Sequence, residues 1–570
     1  MQKTYRLKPL NRYHLASAID WLILGLLVTG IVLFILYPIY SVIATSFFDK
    51  GHFTLRFYKE LFTQSNLVLI KNSLWVSSLS SVLTTIFAFC IGLYAFASPD
   101  KRRKIIHNSL LVTIISPPFV SSLAFITLFG RRGLITHGLL GLSVNPYGWQ
   151  GIVIMQTVGG ISFATLMLIT SFDAIDLKQV LASRDLGATP FQTLVHIVIP
   201  SIRPGLLSIL FTLFTMNLAD FGTPIVVGGR FRVLATEAYL QVLSSSSLGK
   251  AAAISVLMVP PAVVAFYFYR KTLSNAANNN DGSKSFSGSG YDFELPKWIR
   301  GALLSVVVLF FVVMGLKYGN ILLSSVSNTA TGTIKFTTKY LNDLPRSQWS
   351  SFKNSLGYSF LAGTMASLMG ILLSYYTHRR KLPVMKYMEF AASLPYIIPG
   401  TFFGLGYVAA FCHEPIMIRG TAAIIIINFT YRQISVANKA ANAAFSSIDE
   451  KMESAALDLG ASRLDILTGI ILPLMKPVFF TCFITVFTSS MTAVGAIVFL
   501  ISPGKNLASA ELFNSIENGR YGVASVQAVL VILVTVSINL LAMHLMDRSR
   551  KKQKGDMNRV SSVESFKKAV

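Results

Sequence analysis

The sequence predicts an all-α integral membrane protein of about twelve transmembrane helices, arranged as two parallel six-helix repeats. Three observations predict it. The 570 residues are 53% hydrophobic and only 13% charged, with mean hydropathy +0.58, whereas a soluble globular chain carries about 25% charge. Apolar runs long enough to cross a hydrocarbon core of about 30 Å recur along the whole chain. The second half of the sequence also repeats the first at a nearly constant offset.

The apolar runs fall near residues 20–43, 68–97, 105–130, 150–172, 203–228 and 251–270, then 299–320, 354–377, 386–411, 420–440, 477–501 and 523–546. The first, from Trp21, is too long for the apolar core of a cleavable signal and reads as a span. Lysine and arginine outnumber aspartate and glutamate by 50 to 25. Nucleic acid is not the expected partner, because the basic residues cluster beside apolar runs, where they act as topology signals. The N-terminal cluster (Lys3, Arg6, Lys8, Arg12), "KRRK" from Lys101, "HRRK" from His378 and "RSRKKQK" from Arg548 all fall on one side after twelve crossings. That side is predicted to be cytoplasmic, with both termini on it. Arg131 and Arg132 are the exception and fall on the opposite side. Cys90, Cys412 and Cys482 form no Cys-x-x-Cys, so neither a disulfide framework nor a zinc site is expected.

The Gly/Ser/Asn-rich stretch "SNAANNNDGSKSFSGSG" from Ser274 has linker composition. The expected organisation is a first half over 1–273, a cytoplasmic linker over 274–298, a second half over 299–546 and a basic tail over 547–570. At an offset of 273, Asp176 falls on Asp449, Asp185 on Asp458, Gly187 on Gly460, Ala188 on Ala461, Pro200 on Pro473 and Pro204 on Pro477. Upstream, "KNSL" at Lys71 meets "KNSL" at Lys353, and Phe53-Thr54 meets Phe336-Thr337. Such a duplication describes a fused six-span module whose halves run in parallel.

The best-matched stretches are two polar loops, about 173–204 and about 446–477, each between the fourth and fifth spans of its half. Ala182-Ser183 and Ala455-Ala456 give each a short helix with a small, smooth face. Gly187 and Gly460 allow a sharp turn or a close backbone approach. Pro200 and Pro473 are expected at the first turn of the next span, where a missing N–H costs little. A surface helix carrying alanine and charge is a docking element.

These loops resemble the cytoplasmic EAA loop of bacterial ABC importer permeases, whose pattern is Glu-Ala-Ala, three residues, Gly, then Ile-x-Leu-Pro. The glycine-to-proline spacing is 13 in both copies, and the resemblance covers most of the chain. The motif glutamate is replaced by Leu181 in the first copy and Ser454 in the second, where Glu453 stands one residue earlier. The resemblance implies a pore-forming subunit without covalent chemistry or a cofactor of its own. ATP and magnesium would sit on a separate ATPase, two copies of which would dock on the loops. The residues carried over are Asp176, Ala182, Ser183, Asp185, Gly187, Ala188 and Pro200, and Asp449, Glu453, Ala455, Ala456, Asp458, Gly460, Ala461 and Pro473. The chain has no Gly-x-x-x-x-Gly-Lys-Ser/Thr loop of its own. The resemblance also implies an external binding protein on the outer loops near Phe47–Gln64 and Ser324–Gln348, and a bacterial inner membrane location.

The fused layout, with "NLADFGTPIVVGG" after the first loop, most resembles permeases for ferric iron. Thiamine, polyamine and phosphonate permeases share the pattern. Asp220 is expected inside a span, either on the translocation path or paired with a neighbouring helix. Arg432 is the second path candidate, or it snorkels from the cytoplasmic end of its span. His413-Glu414 reads as a solvated turn rather than a metal pair. Pro117-Pro118, Pro260-Pro261, Pro395 and Pro399 read as kinks within spans, and those in the third and ninth suggest paired hinges. An ion-coupled twelve-span secondary carrier is the alternative from another class, although "SPDKRRK" between the second and third spans lacks the glycine frame of such carriers.

Overall fold

The computed structural model describes residues 9–49, 51–114, 118–142, 145–244, 247–278, 293–328, 334–344, 347–412, 416–446 and 448–541. Pro117, His413-Glu414, most of the predicted linker and the basic tail lie outside them. Among the described residues the strands are two short pairs, Phe48–Asp49 with His52–Phe53 and Ser327–Asn328 with Lys335–Phe336; all other regular structure is helical. The protein is thus an all-α membrane protein.

Every predicted span contains helix. Nine helices among the described residues are long and apolar enough to cross a membrane, and eleven if each of two bent pairs is one span. The helix Ala422–Phe445 is the remaining predicted span; Asn428, Arg432, Asn438 and Lys439 make it too polar to count by composition. It lies inside the bundle, where Asn428 and Asn438 are buried.

Four spans differ from expectation. The predicted 105–130 span is two helices, Asp100–Ile114 and Pro118–Phe129. Its repeat mate is likewise Pro383–Ile397 and Gly400–Phe411, meeting at 113°. Pro399 supplies no N–H and its ring blocks continuation of the helix. The predicted 203–228 span starts earlier, at Pro190, and ends at Ala219. A capping box between Thr189 and Gln192 begins the helix there, ahead of Pro200. Pro200 therefore lies inside a continuous helix rather than in its first turn. The π turn Leu194–Val198 just before it changes the hydrogen-bond register where the proline lacks a donor. The second copy repeats this: a Ser462–Asp465 capping box, then the π turn Leu467–Ile471, then Pro473. There the helix also bends by 68° at Met475.

Each half lends its first helix to the other. Leu24, Leu27, Ile31 and Ile35 of the first helix are buried in one core with Ile371, Phe402 and Phe429 of the second half. Leu303, Val307, Phe310 and Met314 of Lys297–Val326 are buried with Phe96, Leu168 and Phe172 of the first half. The repeated "KNSL" has a structural role. Ser73 and Ser355 accept the backbone N–H of Leu234 and Ala508, while Asn72 and Asn354 donate to loop carbonyls ahead of those helices.

Candidate functional site

The two polar loops fold alike. The first copy forms the helix Leu177–Asp185, with Asp176 accepting the Lys178 N–H at 3.0 Å. The second forms Lys451–Asp458, with Asp449 accepting the Lys451 N–H at 3.0 Å. Both helices end in a Schellman turn. Ala188 N–H donates to Ser183 C=O and Gly187 N–H to Arg184 C=O; Ala461 N–H donates to Ala456 C=O and Gly460 N–H to Leu457 C=O. Gly187 has φ +81° and Gly460 φ +82°, and a Cβ at either would meet open space. Backbone conformation, not close packing within the chain, calls for glycine at both.

Ala182, Asp185 and Leu186 line the exposed face of the first helix, and Ala455, Asp458 and Leu459 that of the second. Leu186 is 88% exposed and Leu459 90%. The two are repeat mates, and nothing among the described residues covers either. The remaining loop residues serve the turn itself. Ser183 hydrogen-bonds Thr193 across the turn at 2.9 Å, and Arg184 donates to Ala188 C=O at 3.1 Å.

The inner faces differ. In the second copy Glu453 points inward and is buried. Arg379, whose side chain is 4% exposed, pairs with Glu453 at 3.4 Å and Glu450 at 3.5 Å. It also donates to the carbonyls of Phe445 (2.9 Å) and Ile448 at the end of helix Ala422–Phe445. Burial pushes the Glu453 carboxyl above its ordinary range, and Arg379 opposes that shift. In the first copy the repeat mate of Glu453 is Val180, fully buried in an apolar cluster with Phe172, Ile175, Leu194 and Val198.

The two path candidates sit at helix breaks. Asp220 lies just after Ala219, accepting the Thr223 N–H at 3.1 Å and Gln156 Nε2 at 3.2 Å. It caps the short helix Gly222–Val227 and ties it to Trp149–Asp173. Its repeat mate Ala493 occupies the same break. Arg432 lies midway along Ala422–Phe445, not near an end, and its guanidinium packs on Gly400 at the 113° break.

Three features escaped the sequence reading. Glu237 and Glu511, 274 residues apart, are buried carboxylates: Arg232 and Gln241 bond the first, Asn506 the second. Tyr239 and Phe513, offset by the same 274, meet across the midline with centroids 6.1 Å apart. Phe119 stacks near Phe513 at 4.5 Å and Phe221 near Tyr239 at 5.2 Å, so a buried aromatic plug fills the space between the halves. The third is the exposure of Leu186 and Leu459: the 273 offset pairs them in the sequence, but only the structure shows both side chains left uncovered.

The sequence matches the family described as binding-protein-dependent transport system inner membrane component, over residues 80–272 and again over 360–555. The chain belongs to this family. The permease resembles the ferric transport system permease protein FbpB of Actinobacillus pleuropneumoniae, with 30% identity over 545 residues, covering 91% of this chain and 78% of that protein. A Haemophilus influenzae protein assigned to ferric transport as FbpB 1 is 28% identical, covering 82% of this permease and 76% of its own length. A Salmonella typhimurium protein assigned to 2-aminoethylphosphonate transport, PhnV, is 28% identical over 267 residues, 45% of this permease and 97% of that protein. The permease is a multi-pass inner membrane transport subunit of two family repeats. That membership sets aside the ion-coupled secondary carrier.

Proposed function

We propose that this chain supplies both permease halves of an ATP-driven importer of ferric iron, with each coupling helix docking one ATP-binding subunit. The carrying observation is the matched pair of exposed faces ending in Leu186 and Leu459. A leucine left in water on two equivalent, rigid turns calls for a partner, and burying each would stabilise the complex by about 1.5–3 kcal/mol. ATP and magnesium belong to that partner. Its closure would pull both helices and separate the Tyr239/Phe513 plug, a rigid-body alternating access between the halves. The hairpins carrying Phe53 and Phe336, both exposed, would receive the binding protein. The coupling-helix side would be cytoplasmic, with both termini on it. Ferric iron is favoured over phosphonate because the ferric permeases align along most of both halves.

The test is co-purification with the cognate ATP-binding subunit, followed by uptake in proteoliposomes containing the binding protein. Two ATPases per permease, and uptake of radioactive iron that requires ATP, are expected. Leu186→Ser with Leu459→Ser should weaken ATPase association at least tenfold while leaving the permease folded. Uptake that follows membrane potential without any ATPase would sink the importer reading. ATP-driven uptake of phosphonate but not iron would sink only the substrate.

A further inference from the structure

Arg131 and Arg132 break the charge bias of the chain, and they lie together in a cleft between the two halves. The cleft has a volume of about 270 Å³ and is also lined by Tyr147, Ser327, Tyr340 and Tyr521. Arg131 and Tyr147 flank the start of Trp149–Asp173, whose other end leads into the first coupling helix. That helix has 25 residues, so the cleft is about 37 Å from the coupling end. Among the described residues no carboxylate lines it. Its walls are set. Tyr340 packs on Gly522, where any Cβ would collide with the ring, and the Tyr147 hydroxyl lies against Gly130. The repeat mate of Tyr340 is Phe57, which packs in the same way on Gly249 without a hydroxyl. Arg131 Nε donates to Asn145 Oδ1 at 3.4 Å, which orients its guanidinium.

A polar line continues inward from the cleft. Ser324, Asn320 and Lys317 recur at helical spacing on one face of Lys297–Val326, Ser327 follows just past its end, and all four are buried. Asn320 donates to Thr127, itself part of the cleft wall. Lys317, one turn deeper, lies over the Tyr318 ring at 4.9 Å, and none of the ion pairs among the described residues includes it. A buried cation without a counter-charge is expensive in a membrane.

We propose that this cleft is a binding site for a phosphate-type oxyanion. Two adjacent guanidiniums offer forked donors that match phosphate oxygens, and the tyrosine and serine hydroxyls complete the shell. An excess of positive charge excludes a bare metal cation, so the occupant is an anion. It is either free phosphate or the head group of an anionic lipid. The site stands independently of the ATPase reading and of the transported solute.

The experiment uses the full-length permease in nanodiscs. In one arm the discs are pure phosphatidylcholine and the probe is radiolabelled inorganic phosphate. In the other they contain phosphatidylglycerol, and retained lipid is read by native mass spectrometry. Saturable, single-site binding is expected in at least one arm, and that arm identifies the source. Arg131→Gln with Arg132→Gln should weaken it at least tenfold, and Tyr340→Phe a few-fold. Arg419→Gln, elsewhere on the surface, should leave it unchanged. Absence of binding in both arms, or binding indifferent to the arginine pair in a monodisperse variant, overturns the proposal.

Discussion

The helix Leu177–Asp185 rests on Val180, and Lys451–Asp458 rests on Glu453, although the two residues occupy one repeat position. The backbones around them match closely: an aspartate at the start, a Schellman turn on glycine, a capping box, a π turn and a proline. Duplication has preserved what the backbone demands and released what merely fills the space beneath. The consequence is mechanical. The first helix is seated on apolar packing, which is non-directional and tolerates small slides. The second is held by Arg379, which reaches two carboxylates and two carbonyls at once and sits at the end of the helical stretch that begins at Ser347. Any displacement of Lys451–Asp458 would therefore be tied directionally to the second span of its own half, whereas a displacement of Leu177–Asp185 would be relayed through contact. In the first half the ion pair Arg103–Asp173 joins Asp100–Ile114 to Trp149–Asp173 and does not involve the loop helix.

Exchanging the two anchors should break the comparison most sharply. Val180→Glu places a carboxylate in an apolar cluster, which should cost about 3 kcal/mol or more. Glu453→Val leaves Arg379 with Glu450 and the carbonyls of Phe445 and Ile448, and should cost only about 1 kcal/mol. Thermal unfolding of the purified permease measures both, and equal losses would show that the two seats are not chemically distinct. Arg379→Ala should fall between them, at about 3 kcal/mol, because it strands a buried glutamate and two helix-end carbonyls. Adding Glu453→Val to that variant should recover part of the loss. Failure to do so would mean that the carbonyl contacts, and not the ion pair, hold the loop.

The membrane class, the duplication and the existence of each helix were legible because they depend on composition and period, which are local. The span ends were less so. Pro200 seemed a natural helix start, but Thr189 and Gln192 form a capping box ten residues earlier, and a π turn absorbs the proline inside the helix. The break at Pro399 was expected as a kink and is a complete interruption. For Asp220 the residue type leaves a path role and pairing with a neighbouring helix both open; only tertiary structure reveals Gln156 beside it. Arg379 could not be read at all, since its partners lie 66 to 74 residues away and two of them are backbone carbonyls. The leucines were within reach at the 273 offset, and the paired glutamates once that offset is allowed to slip by one residue to 274.

The smallest effect tests the shared half of the comparison. Gly187→Ala and Gly460→Ala each force a Cβ into a left-handed backbone, with φ +81° and +82°. No neighbouring atom within the chain would be displaced, so the cost is conformational alone, about 1 kcal/mol. The two variants should lose equal stability, within about 0.5 kcal/mol. Their effects on transport need not be equal, because the anchors beneath the loops differ. Equal unfolding losses with unequal loss of ATP-driven uptake would place the asymmetry in the seats and not in the turns. Unequal unfolding losses would refute the claim that the two turns are the same device, and the Val180–Glu453 contrast would no longer isolate the anchor.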